Sequence, residues 1–249
     1  MSAVSLSTDG AVARLTLERP DALNALHQEM ARDIASALDR LETASGLTVL
    51  VVSGRGRAFC AGNDIAEMPG LALAEAEALS RRWQEIMDRF GRLPQVTIAA
   101  VRGHALGGGC MLAAAQDLRL AEASARFGLP EVTLGFNPSY GIARLLDLLG
   151  GAHARELLLT GRTIDATEAH RIGLATHVVP DGTLDESSAA LATEIARHPR
   201  AGLVAIKAIV ADIRAGRPAD EARAYAATLH GDAEARARIA AFIGRRKGA

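Results

Sequence analysis

Short apolar runs alternate along the chain with longer segments whose apolar positions recur every three or four residues, and these two periods separate strands from helices. Ala11–Glu18 (AVARLTLE) alternates as a half-buried strand does and is closed by Arg19-Pro20-Asp21. Leu23, Leu26, Met30, Ile34, Leu38 and Leu41 follow at helical steps and mark one face of an amphipathic helix. Leu47–Val52 and Val96–Val101 are continuous apolar runs, the pattern of strands covered on both faces. Between them, residues 71–90 read as a helix with Trp83, Ile86, Met87 and Phe90 facing inward. Asp117–Ala121 reads as a short strand, and residues 141–149 and 152–160 as two helices divided by Gly150-Gly151. From residue 183 the pattern is helical and rich in Arg and Ala, broken at Pro199 and at Gly216-Arg-Pro218. Strands alternate with helices over the first 180 residues, so the predicted class is α/β. Residues 1–182 form the expected core and 183–249 an appended helical segment.

With 249 residues the chain can close one full hydrophobic core. Its formal charge of −1, with Arg, Asp and Glu interspersed, leaves no basic stripe for nucleic acid. Of the 28 basic residues only Lys207 and Lys247 are lysines, a bias of composition more than of mechanism. No apolar run approaches the roughly 18 residues of a membrane span and no secretory leader is evident, so the expectation is a cytoplasmic protein without a membrane partner. Cys60 and Cys110 are expected to be reduced, packed thiols.

Two glycine-containing turns follow buried strands: AFCAGNDI at Ala58–Ile65 and GHALGGGCM at Gly103–Met111. Glycines permit positive φ and close backbone approach, and a helix starting behind them presents unpaired N–H groups. Two such groups aimed at one point would hold a carbonyl oxygen gaining negative charge; the alternative is that the glycines only let helix and sheet pack closely. The second turn lacks the Gly-Lys-Ser/Thr ending of a phosphate loop and the glycine spacing of a dinucleotide site. His, Cys and carboxylates show no metal-ligand spacing, so no metal is expected.

Asn24-Ala-Leu26, AFCAGNDIAEM from Ala58, GHALGGGCM, FGLPEVTLGFNP from Phe127, LTGRTIDATEAHRIGLATHVV from Leu159 and the Lys207 region together resemble the enoyl-CoA hydratase/isomerase (crotonase) superfamily over nearly the whole chain. The resemblance implies a crotonase-like spiral of ββα repeats with a C-terminal helical trimerisation segment, assembled as a homotrimer or a dimer of trimers. It implies an acyl-CoA thioester substrate and no separate cofactor, the CoA being part of the substrate. By position in the motifs, the backbone N–H groups of Asn63 and Gly108 would hold the thioester oxygen, and Glu131 of the FGLPE segment would be the acid/base. Ala61, Asp64, Ile65 and Met111 fall at expected substrate-binding positions, although loop capping alone also accounts for Asp64 and ordinary packing for Met111. The loop Gly135–Gly141 is one residue shorter than the usual family form and carries Asn137, Ser139 and Tyr140 where small residues are common; either turn chemistry alone explains it, or Tyr140 or Asn137 reaches the acyl group. Arg57 and Lys207, with Lys247, would meet the CoA phosphates unless they are simply exposed cations.

Hydrating members of the family hold water between two glutamates, and here the first of the two positions is Met111. A thioether cannot ionise and makes that side of a pocket drier. One carboxylate in a dry pocket favours moving a proton between carbons over adding water, which requires both a base and an acid. Double-bond isomerisation is therefore the leading expectation. Hydration by Glu131 alone or with a loop residue such as Tyr140 or Asn137, decarboxylation or C–C cleavage, and non-catalytic acyl-CoA binding remain the alternatives. His104 reads as a turn residue, and His230 as a surface or structural histidine.

Overall fold

The run Val49–Val52, read as a strand covered on both faces, lies near the centre of the main sheet in the computed structural model, which describes residues 2–68 and 70–247. The chain runs β1 (Val4–Asp9), β2 (Val12–Leu17), α1 (Gln28–Glu42), β3 (Val49–Gly54), α2 (Leu73–Arg92), β4 (Val96–Val101), β5 (His104–Leu106), α3 (Gly108–Ala114), β6 (Leu118–Glu122), β7 (Arg126–Gly128), α4 (Ile142–Thr160), β8 (Thr163–Asp165), α5 (Ala166–Arg171), β9 (His177–Val179), α6 (Leu184–Ala196), α7 (Arg200–Arg214), α8 (Glu221–Gly231) and α9 (Ala233–Lys247). Six strands form one sheet in the order β1-β2-β3-β4-β6-β9, with β1 antiparallel to β2 and every other pairing parallel. A second sheet joins β5, β7 and β8.

Successive residues of a strand point to opposite faces, and in this sheet both faces are covered. Leu50, Val52, Ala99, Val101 and Ala121 join the main core beneath α1, α2 and α3. Val49, Val51, Ile98, Ala100 and Leu120 pack on the other side against Leu184 and Ala192 of α6. The helical segment after residue 183 thus begins as a lid on the sheet, and burying Leu184 alone is worth roughly 1.5–3 kcal/mol. Trp83, Ile86, Met87 and Phe90 form the buried stripe of α2.

The helix expected to begin near Leu23 starts at Gln28. Pro20–Ala22 make a short 3₁₀ turn, and Leu23 and Asn24 both adopt positive φ. Asn24 tolerates this conformation because its buried side chain is fully used. It accepts from the Arg19 N–H at 2.9 Å and donates to the Arg55 and Ala58 carbonyls, each at 2.9 Å. Those bonds pin the loop that follows β3. The break expected at Gly150 is a kink within α4, where that residue takes φ 70° and ψ 166°.

Candidate active site

The loop after β3 and the turn after β5 meet above the C-terminal ends of the parallel strands, where open α/β sheets bind ligands. Single bridges hold them in register, Leu26 with Asn63 and Cys60 with Ala105. Leu26 N–H donates to Gly62 O and Asp64 N–H to Leu26 O, both at 2.8 Å. Asn63 sits between these bonds, and its own N–H donates to no acceptor among the described residues. The N–H of Gly108 is likewise unpaired, as the first residue of α3. Two unused backbone donors therefore come from adjacent turns, which is how an oxyanion is held.

Strand pairing also delivers the carboxylate. β5 runs parallel to β7, and Gly107 N–H donates to Gly128 O at 2.8 Å. Two residues beyond Gly128 the chain enters a 3₁₀ turn, Pro130–Leu134, that carries Glu131. Gly107 adopts φ 50° and ψ −125°, and a Cβ there would lie 2.8 Å from Glu131 Oε1. A Cβ on Gly108 would overlap both Asn63 Oδ1 and Tyr140 Oη. Side chains at either glycine would collide with the groups that surround the turn.

Glu131 is 9% exposed, and its Oε2 is buried without a hydrogen-bond partner among the described residues. Burial pushes its carboxyl above the usual glutamate range, opposed in part by a bond to its own backbone. A carboxylate held in this way is a stronger proton acceptor than an exposed one.

The cavity between these groups has a volume of about 250 Å³. It is lined by Asn63, Gly108, Met111, Glu131 and Tyr140, by apolar Met68, Leu71, Leu79, Trp83, Phe136 and Pro138, and by polar Ser80, Asn137 and Ser139. Among the lining residues Glu131 is the one carboxylate. Met111 is 2% exposed, and its Sδ lies against Gly141, where a Cβ would come within 2.7 Å of it. Tyr140, 5% exposed, reaches across the cavity to Asn63 Oδ1 at 2.8 Å and stacks on Trp83 with ring centroids 6.5 Å apart. Burial raises its phenol well above the ordinary range, so the hydroxyl stays protonated.

Other expected positions lie outside the cavity. Asp64 accepts from Arg19 Nη2 at 3.0 Å and from Ala66 N–H at 3.1 Å, so its carboxylate is engaged in ordering the loop. Ala61 is half-buried and donates its N–H to Leu23 O, while Ile65 is 63% exposed. Arg57 is exposed on the loop after β3. Lys207 corrects the expectation of a phosphate contact. It is 7% exposed and donates to Asp117 Oδ2 at 2.5 Å, Gln95 O at 2.8 Å and Phe90 O at 3.3 Å, so its three ammonium hydrogens are all used inside the fold. The side chain of Lys247 lies outside the described residues. His104 and His230 are exposed. Cys60 and Cys110 are buried free thiols, each pushed up to about 12 by desolvation.

The wall formed by α2 was not foreseen as part of a site. Ala76, Leu79, Ser80 and Trp83 line the cavity at helical spacing, but the same periodicity describes any buried face. Among the described residues no group of three His, Cys, Asp or Glu could hold a metal ion, and no helix is long and apolar enough to cross a membrane.

Two unpaired backbone donors and one buried carboxylate come together at one largely apolar cavity, a set of groups suited to acyl chemistry. The comparisons with known proteins agree with that class. The family model described as enoyl-CoA hydratase/isomerase matches residues 7–248. A protein named as a probable enoyl-CoA hydratase of Mycobacterium bovis is 40% identical over 198 residues, 78% of this chain and 75% of its own. One of Rhizobium meliloti is 43% identical over 187 residues, 73% and 71% of the two chains. The crystal structure of an enoyl-CoA hydratase from Bacillus anthracis superposes with a TM-score of 0.90 at 30% identity, covering 98% of this chain and 96% of that one. The chain belongs to the enoyl-CoA hydratase/isomerase family, enzymes that act on acyl-CoA.

Proposed function

We propose that the enzyme shifts a carbon–carbon double bond in an enoyl-CoA, with Glu131 as its sole acid/base. The observation that carries this reading is the cavity lining, where Glu131 faces Met111 and no second carboxylate. Starting from a 3-enoyl thioester, the Glu131 carboxylate takes a proton from C2. The C–H electron pair moves into the conjugated system and places negative charge on the thioester oxygen, between the N–H groups of Asn63 and Gly108. The protonated Glu131 then returns the proton to C4, the electrons shift back, and the double bond lies between C2 and C3. One base serves both carbons, and Met111, Trp83, Leu79 and Phe136 keep water from competing.

Hydration is the second reading, favoured by relatives of about 40% identity that are named hydratases. A panel of 2-enoyl-, 3-enoyl- and malonyl-type CoA esters with products followed by mass separates the possibilities. A mass-neutral shift that disappears in Glu131→Gln supports isomerisation; gain of one water or loss of carbon dioxide as the main reaction refutes it.

Arg57, exposed on the rim loop, is proposed to meet the CoA phosphates. No cofactor beyond the substrate's own CoA is proposed. A homotrimer or dimer of trimers is supported by Ile206, Val210 and Ile213, which are 61%, 47% and 56% exposed and form a helical stripe on α7. Light scattering should return three or six chains, and a monomer would refute the assembly. The two buried thiols fit a reducing compartment, and the cytoplasm is the proposed location.

A further inference from the structure

We infer that the Asn63 side chain is a third donor in the cavity, turned toward substrate by Tyr140, and that it selects acyl groups carrying an oxygen on the carbons next to the thioester. The inference rests on the reading that Asn63 and Gly108 hold the thioester oxygen.

The Tyr140 hydroxyl is buried, and its one partner among the described residues is the Asn63 carboxamide, 2.8 Å away. A carboxamide can present either its oxygen or its amino group to that hydroxyl. Were the amino group to face it, the phenolic hydrogen would be left buried without an acceptor, a cost of about 1–3 kcal/mol. The hydroxyl therefore donates to Oδ1, and the raised pKa of the phenol keeps that hydrogen in place. Planarity of the amide then turns Nδ2 away from Tyr140, and Nδ2 donates to no acceptor among the described residues.

Asn63 lines the cavity, so this free donor is available to a ligand. Its side chain is short, and the backbone N–H of the same residue is committed to the thioester oxygen. The amino group therefore meets atoms three or four bonds from that oxygen. A carbonyl or hydroxyl oxygen on C3, or an oxygen substituent on C2, meets it; a plain hydrocarbon chain leaves it unpaired. Tyr140 is thus a positioning residue, acting through Asn63, and it supplies polarity on the side of the cavity where Met111 does not.

Equilibrium binding of two CoA esters that differ by one oxygen tests this without turnover: butyryl-CoA and acetoacetyl-CoA. The wild-type enzyme is expected to prefer acetoacetyl-CoA by about tenfold, the worth of one good hydrogen bond. Asn63→Ala should bring the ratio of the two affinities to about one, and Asn63→Asp, which presents only acceptors, should reverse the preference. Tyr140→Phe, which keeps the ring on Trp83 and frees the carboxamide to turn, should reduce the preference to about threefold. Equal affinity of the wild type for both esters, or variants that weaken both equally, overturns the inference and leaves the acyl-CoA reading standing. Failure of the wild type to bind either ester overturns both.

Discussion

Lys207 and Glu131 are both buried charged residues, and they do opposite things. Lys207 has a partner for each ammonium hydrogen, from Asp117 and the carbonyls of Phe90 and Gln95, and through them α7 is tied to the ends of α2 and β4. Glu131 keeps an oxygen with no partner among the described residues, and that oxygen belongs to a residue lining a cavity. Burial alone does not mark a functional group. Unmet hydrogen-bonding capacity on an ionisable group at a cavity wall is the better pointer to one, because leaving it open costs the fold free energy.

Substitution separates the two roles. Glu131→Gln is expected to lower turnover by roughly 10²–10⁴-fold, the usual worth of a positioned acid/base, while thermal unfolding stays at or above the wild-type midpoint. Gly108→Ala leaves both charges in place but drives a methyl into Asn63 and Tyr140; kcat should fall on the order of 10²–10³-fold, as for loss of one oxyanion donor. Lys207→Met should do the reverse of Glu131→Gln. It leaves Asp117 without its cation and is expected to destabilise the fold by about 2–3 kcal/mol, discounted because Asp117 is 30% exposed, with kcat per folded molecule unchanged.

Proton titration sharpens the contrast. The folded-state pKa of Glu131 is raised, so its ionisation is disfavoured in the fold: its contribution to stability is complete below the unfolded carboxyl pKa and is lost as pH rises through the folded value. Denaturant titrations across that window should show the wild type losing stability relative to Glu131→Gln. The base must be ionised to act, so kcat/KM should fall on the acid side with a midpoint above the ordinary glutamate range. The smallest effect belongs to Met111→Glu, expected to raise hydration of 2-enoyl-CoA only a few-fold, because a second carboxylate in that cavity is itself strained toward neutrality.

The long elements were legible because each carries its own period. Val96–Val101 is the strand it reads as, and the stripe from Trp83 to Phe90 faces the core. β5, β7, β8 and β9 are three residues each, too short for any period, and exist because neighbouring strands pair with them. Leu23 and Leu26 fit the helical spacing but precede the helix, since the positive φ of Leu23 and Asn24 follows from loop contacts that lie far off in sequence. In the candidate site, motif positions led to Asn63, Gly108, Met111, Glu131 and Tyr140, which line one cavity. Lys207 went the other way because nothing in its neighbours says whether a lysine on a helix points outward or under the sheet. The bond between Tyr140 and Asn63 joins residues 77 positions apart and has no local signal.

The central claim is that one carboxylate in a water-poor cavity carries a proton from one carbon to another. A 3-enoyl-CoA deuterated at C2, converted in ordinary water and read by mass and position of label, tests it most directly. The account predicts a 2-enoyl product that retains part of the deuterium at C4, delivered there by Glu131. Complete loss of the label to solvent, with a hydrated acyl-CoA as the main product, would contradict it.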